Sequence, residues 1–269
     1  MSAPRTRPGF LAAGDLMVDV AVSGRGHEAQ IRLRPGGSAA NAAVWAAACG
    51  ASAIVVGRVG DDSAGRLLAT ELEAAGVASA LSIDPSAPTG TFVTVDESIA
   101  ADRGANARFQ PAHLPDVLTA DVVLVSGYLP RETVKAALER ATGAWRALDA
   151  ARLKELPEGG NAVLANEEEA WLLTGKQPED AVRALGERYK LACVTRGALG
   201  AVAVLDGELA SAASPAVTVV DATGAGDAFA AGLLVALAQG EPLAQALAQG
   251  CRLGATAAGT AGAWPSVEN

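Results

Sequence analysis

This chain predicts an α/β fold: a mostly parallel sheet covered by helices on both faces, with a small β flap. Three observations carry that prediction. Short apolar runs of strand length alternate with helix-length segments from Phe10 to about Ala258, as in βαβ units whose crossovers lay helices over a parallel sheet. Asp15, Gly57, Ser126, Asp149 and Asn166 fall near the ends of those runs, where open sheets collect their ligands. Half of the 269 residues are hydrophobic, only 4% are aromatic and 30 are glycine. Side chains this small suit close helix–sheet packing, and the length suits one large domain over residues 1–269.

The elements follow in order. Phe10 to Ala13 reads as a short strand ending at Gly14-Asp15. Gly36-Gly37 opens a helix from Ser38 to Cys49, and Ala53 to Val59 is a buried strand. Ser63 to Ala75 is a helix, because Leu67, Leu68, Leu72 and Ala75 share one face and Gly76 ends it. Val122 to Val125 is a strand, Arg131 to Ala141 a helix, Ala147 to Asp149 a strand end, and Val163 to Ala165 a strand. Asn166 caps a helix running through Leu173, and Pro178 begins a helix to Tyr189. Leu191 to Thr195 and Val202 to Leu205 are strands, the second ending in the hairpin signal Asp206-Gly207. The last helices are Ala225 to Ala238 and Leu243 to about Ala258. Two polar stretches, Val18 to Leu33 and Thr91 to Arg103, lack helix signals; a small lid from about 18–34 and 90–104 is expected there.

Composition excludes several functions. A formal net charge of −9 argues against nucleic acid, whose binding relies on Lys and Arg neutralising phosphates. Cys49, Cys193 and Cys251 are widely spaced, so neither a disulfide framework nor a zinc site is expected and a reducing cytoplasm fits. The basic start breaks at Asp15, too soon for a signal peptide. Ala39 to Gly57 is apolar but interrupted by Asn41, Gly50 and Ser52, which reads as helix–turn–strand rather than a membrane span. His27 and His113 lie in polar contexts without a nucleophile motif and read as surface residues. Neither G-x-x-x-x-G-K-[ST] nor an early G-x-G-x-x-G is present.

One segment carries chemistry. Asp221-Ala222-Thr223-Gly224-Ala225-Gly226-Asp227 runs into the apolar stretch Ala228 to Ala238: a glycine loop opening a buried helix. Unpaired N–H groups and partial positive charge at a helix N-terminus favour an anion. Glycines let the chain approach it without Cβ clashes. Asp227 beside such a site repels the anion and has another use, accepting a proton from an attacking nucleophile. The plain alternative is a glycine turn with an acid satisfying the helix dipole.

Further blocks stand upstream in order. They are Gly14-Asp15-Leu16-Met17-Val18-Asp19; Gly36-Gly37-Ser38-Ala39-Ala40-Asn41-Ala42-Ala43; Gly57-Arg58-Val59-Gly60-Asp61-Asp62 with Gly65; Asn166-Glu167-Glu168-Glu169; and Val194-Thr195-Arg196-Gly197 with Gly200. Together with the C-terminal loop they resemble the ribokinase-like, or PfkB, family of carbohydrate kinases over nearly the whole chain. The resemblance implies a ribokinase-like three-layer sandwich. It implies ATP and Mg²⁺, with Asp227 as base and Gly224, Ala225 and Gly226 as an anion hole. Asp19, Gly36, Gly37 and Asn41 are then the sugar contacts. Asn166, Thr195, Gly197, Gly200 and Thr223 are the nucleotide contacts. Glu169 is tied to Mg²⁺ through water, and Asp221 with Thr223 to a monovalent cation such as K⁺. The lid segments are shorter than usual for the family, Ala222 stands where Thr is common, and Cys251 falls near the adenine position.

The expected function is ATP-dependent phosphorylation of a hydroxyl on a small sugar. Arg103 suits a sugar acid such as 2-keto-3-deoxygluconate, and a nucleoside is a further alternative. A non-catalytic sugar or nucleotide sensor on a kinase scaffold is the non-enzyme alternative. A dinucleotide oxidoreductase shares the sheet but not the fingerprint. Neither nucleic acid nor membrane is expected as a partner, and a homodimer is left open.

Overall fold

Phe10 and Ala12 of the first strand pack into one apolar cluster, Leu11 and Ala13 into another. Strand side chains alternate between faces, so a strand buried on both sides has helices above and below. The computed structural model describes residues 7–95 and 98–265; most of the basic start, residues 1–6, and Asp96 and Glu97 of the second segment expected in the lid, lie outside them.

The described chain begins β1 (Gly9–Ala13), β2 (Met17–Ser23), β3 (Gln30–Gly36), α1 (Ser38–Ala48), β4 (Ser52–Gly60) and α2 (Ser63–Ala74). It continues β5 (Ala78–Asp84), β6 (Gly90–Val95), β7 (Ser98–Asp102), β8 (Leu118–Thr119), β9 (Val122–Ser126) and α3 (Arg131–Arg140). Next come β10 (Ala141–Thr142), β11 (Trp145–Asp149), β12 (Ala162–Asn166), α4 (Glu167–Thr174) and α5 (Pro178–Gly186). It closes with β13 (Leu191–Thr195), β14 (Ala201–Leu205), β15 (Glu208–Ala212), α6 (Ala225–Ala238) and α7 (Leu243–Ala258).

The main sheet has nine strands in the order β15-β14-β13-β12-β11-β9-β1-β4-β5. Pairs from β13 through β5 are parallel, and the β13–β14 and β14–β15 pairs are antiparallel. Residues of α1, α2, α6 and α7 share the cluster on one face, and α3 and α5 cover the other. The predicted α/β architecture is therefore the observed one. Small residues make the layers close: a Cβ on Gly250 would lie 3.0 Å from the Phe229 ring, and one on Gly232 2.8 Å from Leu253.

Boundaries differ from expectation where local signals are weak. The helix predicted to Tyr189 stops at Gly186, and β5, which alternates poorly in sequence, was not foreseen. The hairpin signal holds: Asp206 and Gly207 have φ of 49° and 85°, as a two-residue primed turn requires. His113 is half-buried and accepts from the Gln110 amide at 3.0 Å, a local structural role. All three cysteines are free. Among the described residues no helix is long and apolar enough to cross a membrane.

A separate four-stranded sheet, β3-β2-β6-β7, has β2 parallel to β6 and antiparallel pairs outside. Register puts Arg34, Asp19, Phe92 and Ala101 in one row. Their shared side faces the carboxyl edge of the main sheet, and between the two lies the principal cavity.

Candidate active site

The cavity, of about 690 Å³, is walled by Asp15 beyond β1, Asp149 ending β11, Asn166 ending β12 and Thr195 ending β13. Met17, Asp19, Phe92 and Arg103 close it from the small sheet. Gly37, Ser38 and Asn41 line it from the start of α1, and Thr223, Gly224, Gly226 and Asp227 from the start of α6.

Gly37 sets how α1 arrives. Its φ of 94° suits glycine, and a Cβ there would sit 2.5 Å from the Asp15 carbonyl. Helix α1 therefore begins hard against Asp15, whose carboxylate accepts from the Ser126 hydroxyl at 3.1 Å and the Ser38 amide at 3.4 Å. One turn then presents two donors to the same acid. Ser38 Oγ donates to Asp227 Oδ1 at 2.9 Å, and Asn41 Nδ2 donates to Oδ2 at 2.8 Å. Asn41 is itself held by Trp264 Nε1, which donates to its Oδ1 at 3.0 Å. Sequence reasoning expected the buried Asn41 to find its partner in a substrate. The protein supplies that partner, and Asn41 orients Asp227 while still lining the cavity.

Burial raises the Asp227 carboxyl to about 7; Asn41 and Ser38 oppose the rise, and the charges of Asp15 and Asp19 add to it. An acid that titrates near neutrality and points two fixed oxygens into a cleft is a competent general base. Asp19 is likewise pushed up to about 7 by burial and by Asp221 and Asp15, with Arg34 acting the other way. Gly36 makes room for that carboxylate, since a Cβ there would be 2.3 Å from Asp19 Oδ2.

Gly224 caps α6 in the left-handed region at φ 76°, and a Cβ on it would meet Ala263 at 2.7 Å. Ala225 does not line the cavity, and its amide donates to the Ala222 carbonyl at 3.2 Å. Gly226 is open, with nothing within 4 Å of an added Cβ. The amides of Gly226 and Asp227 have no backbone acceptor among the described residues. The Gly224 amide likewise has none, so of the expected hole Gly224 and Gly226 keep bare donors, Ala225 does not, and Asp227 adds another.

On the far side of the cavity, Asn166 and Glu169 form a reciprocal capping box. The Asn166 amide donates to Glu169 Oε2 at 2.8 Å, and the Glu169 amide donates to Asn166 Oδ1 at 2.9 Å. Burial raises the Glu169 carboxyl. Asp149 is held well above the carboxylate range by burial and by the neighbouring charges of Asp227 and Glu169. Among the described residues no three acids, cysteines or histidines converge on one metal point. That donor set suits Mg²⁺, which keeps most of its waters and rests on phosphate oxygens with one or two carboxylates nearby.

Of the residues predicted to make the site, the cavity unites Asp19, Gly37, Asn41, Arg103, Asn166, Glu169, Thr195, Thr223, Gly224, Gly226 and Asp227. Gly36, Ala225, Gly197, Gly200 and Asp221 are not in its wall. Gly200 serves the hairpin instead: at φ 92°, a Cβ would lie 2.0 Å from the Ala212 carbonyl. Asp221 accepts from the Thr223 and Gly262 amides at 2.9 and 3.1 Å, behind the wall. Arg103 donates to the Tyr128 carbonyl. Cys251 is buried, its thiol turned to the Ala212 carbonyl at 3.6 Å. Sequence reasoning missed Tyr128, Arg152 and Trp264. Among the unassigned wall residues Asp15 and Asp149 had a signal, their places at strand ends.

The chain matches the pfkB family carbohydrate kinase pattern over residues 11–269. It is 32% identical over 258 residues to a fructokinase of Klebsiella pneumoniae, covering 84% of this chain and 83% of that protein. It is 34% identical over 230 residues to a ribokinase of Bacillus subtilis, covering 79% and 77%. Among solved structures, an adenosine kinase from Sinorhizobium meliloti superposes with a TM-score of 0.84 at 23% identity over 97% of both chains. At that identity the likeness speaks for the fold alone.

Proposed function

The chain belongs to the pfkB family of carbohydrate kinases, phosphotransferases with an alcohol acceptor, and on that premise we propose how its own residues perform the transfer and what they accept. Asp227 accepts the proton of an acceptor hydroxyl as that oxygen bonds to the γ-phosphorus of ATP and the bond to the ADP oxygen breaks. Ser38 and Asn41 fix the carboxylate, so little orientation is lost on reaching the transition state. The Gly226 and Asp227 amides, with the helix start behind them, offset charge on the moving phosphoryl group. Asp19 and Arg103 hold the acceptor from the small sheet. Thr195, Thr223 and Asn166 border the nucleotide side. Mg²⁺ supplies charge neutralisation among the phosphate oxygens, and Asn166 and Glu169 are the residues that would hold its waters. The small sheet, as a lid, excludes water and limits idle hydrolysis of ATP.

One observation carries this reading: Asp227 is pinned by Ser38 and Asn41 beside amides with no backbone acceptor among the described residues. The fructokinase and ribokinase names of the relatives support a small sugar as acceptor. Arg103, in the wall between the small sheet and Tyr128, favours a sugar acid as the second reading. ADP release measured across neutral sugars, sugar acids and nucleosides tests both. Arg103→Ala is expected to raise KM for a carboxylated sugar about tenfold and to spare its neutral counterpart. Equal loss on both would remove the acid reading.

A further inference from the structure

Behind the cavity wall a second, smaller cavity of about 50 Å³ is lined by residues that include Asp19, Arg34, Asp221, Thr223 and Gly262. Arg34 stands opposite Asp19 in the β2–β3 register. Its guanidinium lies on Gly262, where a Cβ would come within 2.5 Å of Nη1 and 2.9 Å of Cδ. The Gly262 amide is the one that donates to Asp221 Oδ2. The two residues that follow belong to the catalytic arrangement: Ala263 packs against the cap glycine Gly224, and Trp264 holds Asn41. Arg34 thus rests on the strap that supports both helix starts of the site.

Among the described residues the Arg34 guanidinium has no hydrogen bond or ion pair. Burial pushes both Asp19 and Asp221 up; the Arg34 charge opposes it at each, and at Asp221 it adds to the larger lowering by the Thr223 and Gly262 hydrogen bonds. The family resemblance places a monovalent metal cation at Asp221. A guanidinium packed on Gly262 in the same small cavity sets positive charge near that carboxylate and repels a second cation, so the residues present do not fit K⁺. Its packing on Gly262 also joins the strap to the small sheet, of which its own backbone is part, a contact that a diffusible ion would not make.

We propose that Arg34 is a positioning residue of the phosphoryl-transfer site, the resident cation of the Asp221 loop, so that transfer proceeds without a monovalent metal ion. The proposal rests on the kinase reading above. The test compares potassium with tetramethylammonium at equal ionic strength in the wild type, Arg34→Ala and Arg34→Lys. Wild-type ADP release is expected to be the same in both salts. Arg34→Ala is expected to lose about tenfold in kcat in tetramethylammonium, and to recover with potassium or added guanidinium, a rescue that a merely structural role would not give. Arg34→Lys keeps the charge without the fork and is expected to fall between them.

Intrinsic fluorescence supplies a readout that needs no turnover. Trp264, two residues from Gly262, is expected to ignore potassium in the wild type. In Arg34→Ala it is expected to respond saturably, a response absent from the double variant Arg34→Ala with Trp264→Phe. A wild type whose rate or emission rises saturably with potassium overturns the proposal, as does Arg34→Ala with wild-type kcat and KM in tetramethylammonium. If Arg34→Ala does not fold, the two wild-type comparisons and Arg34→Lys still decide. If no acceptor supports ADP release, the kinase reading fails, and the fluorescence titration still decides the cation claim.

Discussion

Asp227 concentrates the chemistry of this protein and also its cost. Its carboxyl is raised to about 7, chiefly by burial, so kcat/KM for the acceptor should climb with pH through a limb near 7 and level off above it. A profile flat from pH 5 to pH 9 would separate the rate from this group. The same shift bears on stability. The native state holds a proton on Asp227 that the unfolded chain, with an ordinary carboxyl, releases near pH 4. Folding stability is therefore lost as pH rises between those values, and the whole loss is present above 7. Asp227→Asn removes it and is expected to be more stable than wild type at pH 8 by up to about 4 kcal/mol. That advantage should shrink toward nothing as pH falls to 4. Equal melting temperatures at pH 8 would show that Asp227 is not buried at a cost.

At the scale of elements, the site consists of helix starts aimed at one cleft, and each start was legible to a different degree. The α6 loop could be read because glycines and an acid at the mouth of an apolar helix suit anion binding and proton transfer better than they suit packing. The α1 start could be located from Gly36-Gly37 but not understood, because the Asp227 partner of Asn41 lies 186 residues away. Gly197 and Gly200, expected as nucleotide contacts, lie in the turn between β13 and β14 outside the cavity wall, where Gly200 also meets a backbone demand of the hairpin, and sequence does not separate the two uses. The α4 start combines both meanings, since Glu169 is a capping partner and a cavity acid at once. Substitution can divide those roles. Asn166→Ala should cost about 1 kcal/mol through loss of the cap. Glu169→Gln keeps an acceptor for the Asn166 amide, so it should leave the melting temperature nearly unchanged while raising the Mg²⁺ concentration needed for half-maximal rate. A Glu169→Gln enzyme with wild-type Mg²⁺ dependence would leave that residue only its cap.

Across the whole molecule, strand–helix alternation made the main sheet legible, because double-sided burial writes itself as apolar runs between helical segments. Strand β5 escaped for the complementary reason: its exposed Ala78, Ser79 and Ala80 carry no apolar rhythm. The small sheet was readable only as a departure from helical pattern, and its register, which aligns Asp19, Arg34 and Phe92, is a product of pairing that no local signal encodes. Ile31, Leu33 and Val95 on that sheet are exposed. The claim on which function depends is narrower: Asp227 takes the proton of a bound alcohol during phosphoryl transfer. Acceptor-dependent ADP release by Asp227→Asn beside wild type, at saturating ATP and pH 8, tests it most directly. The variant should bind ATP as wild type does and turn over about a thousandfold more slowly; turnover within a few-fold of wild type would contradict it.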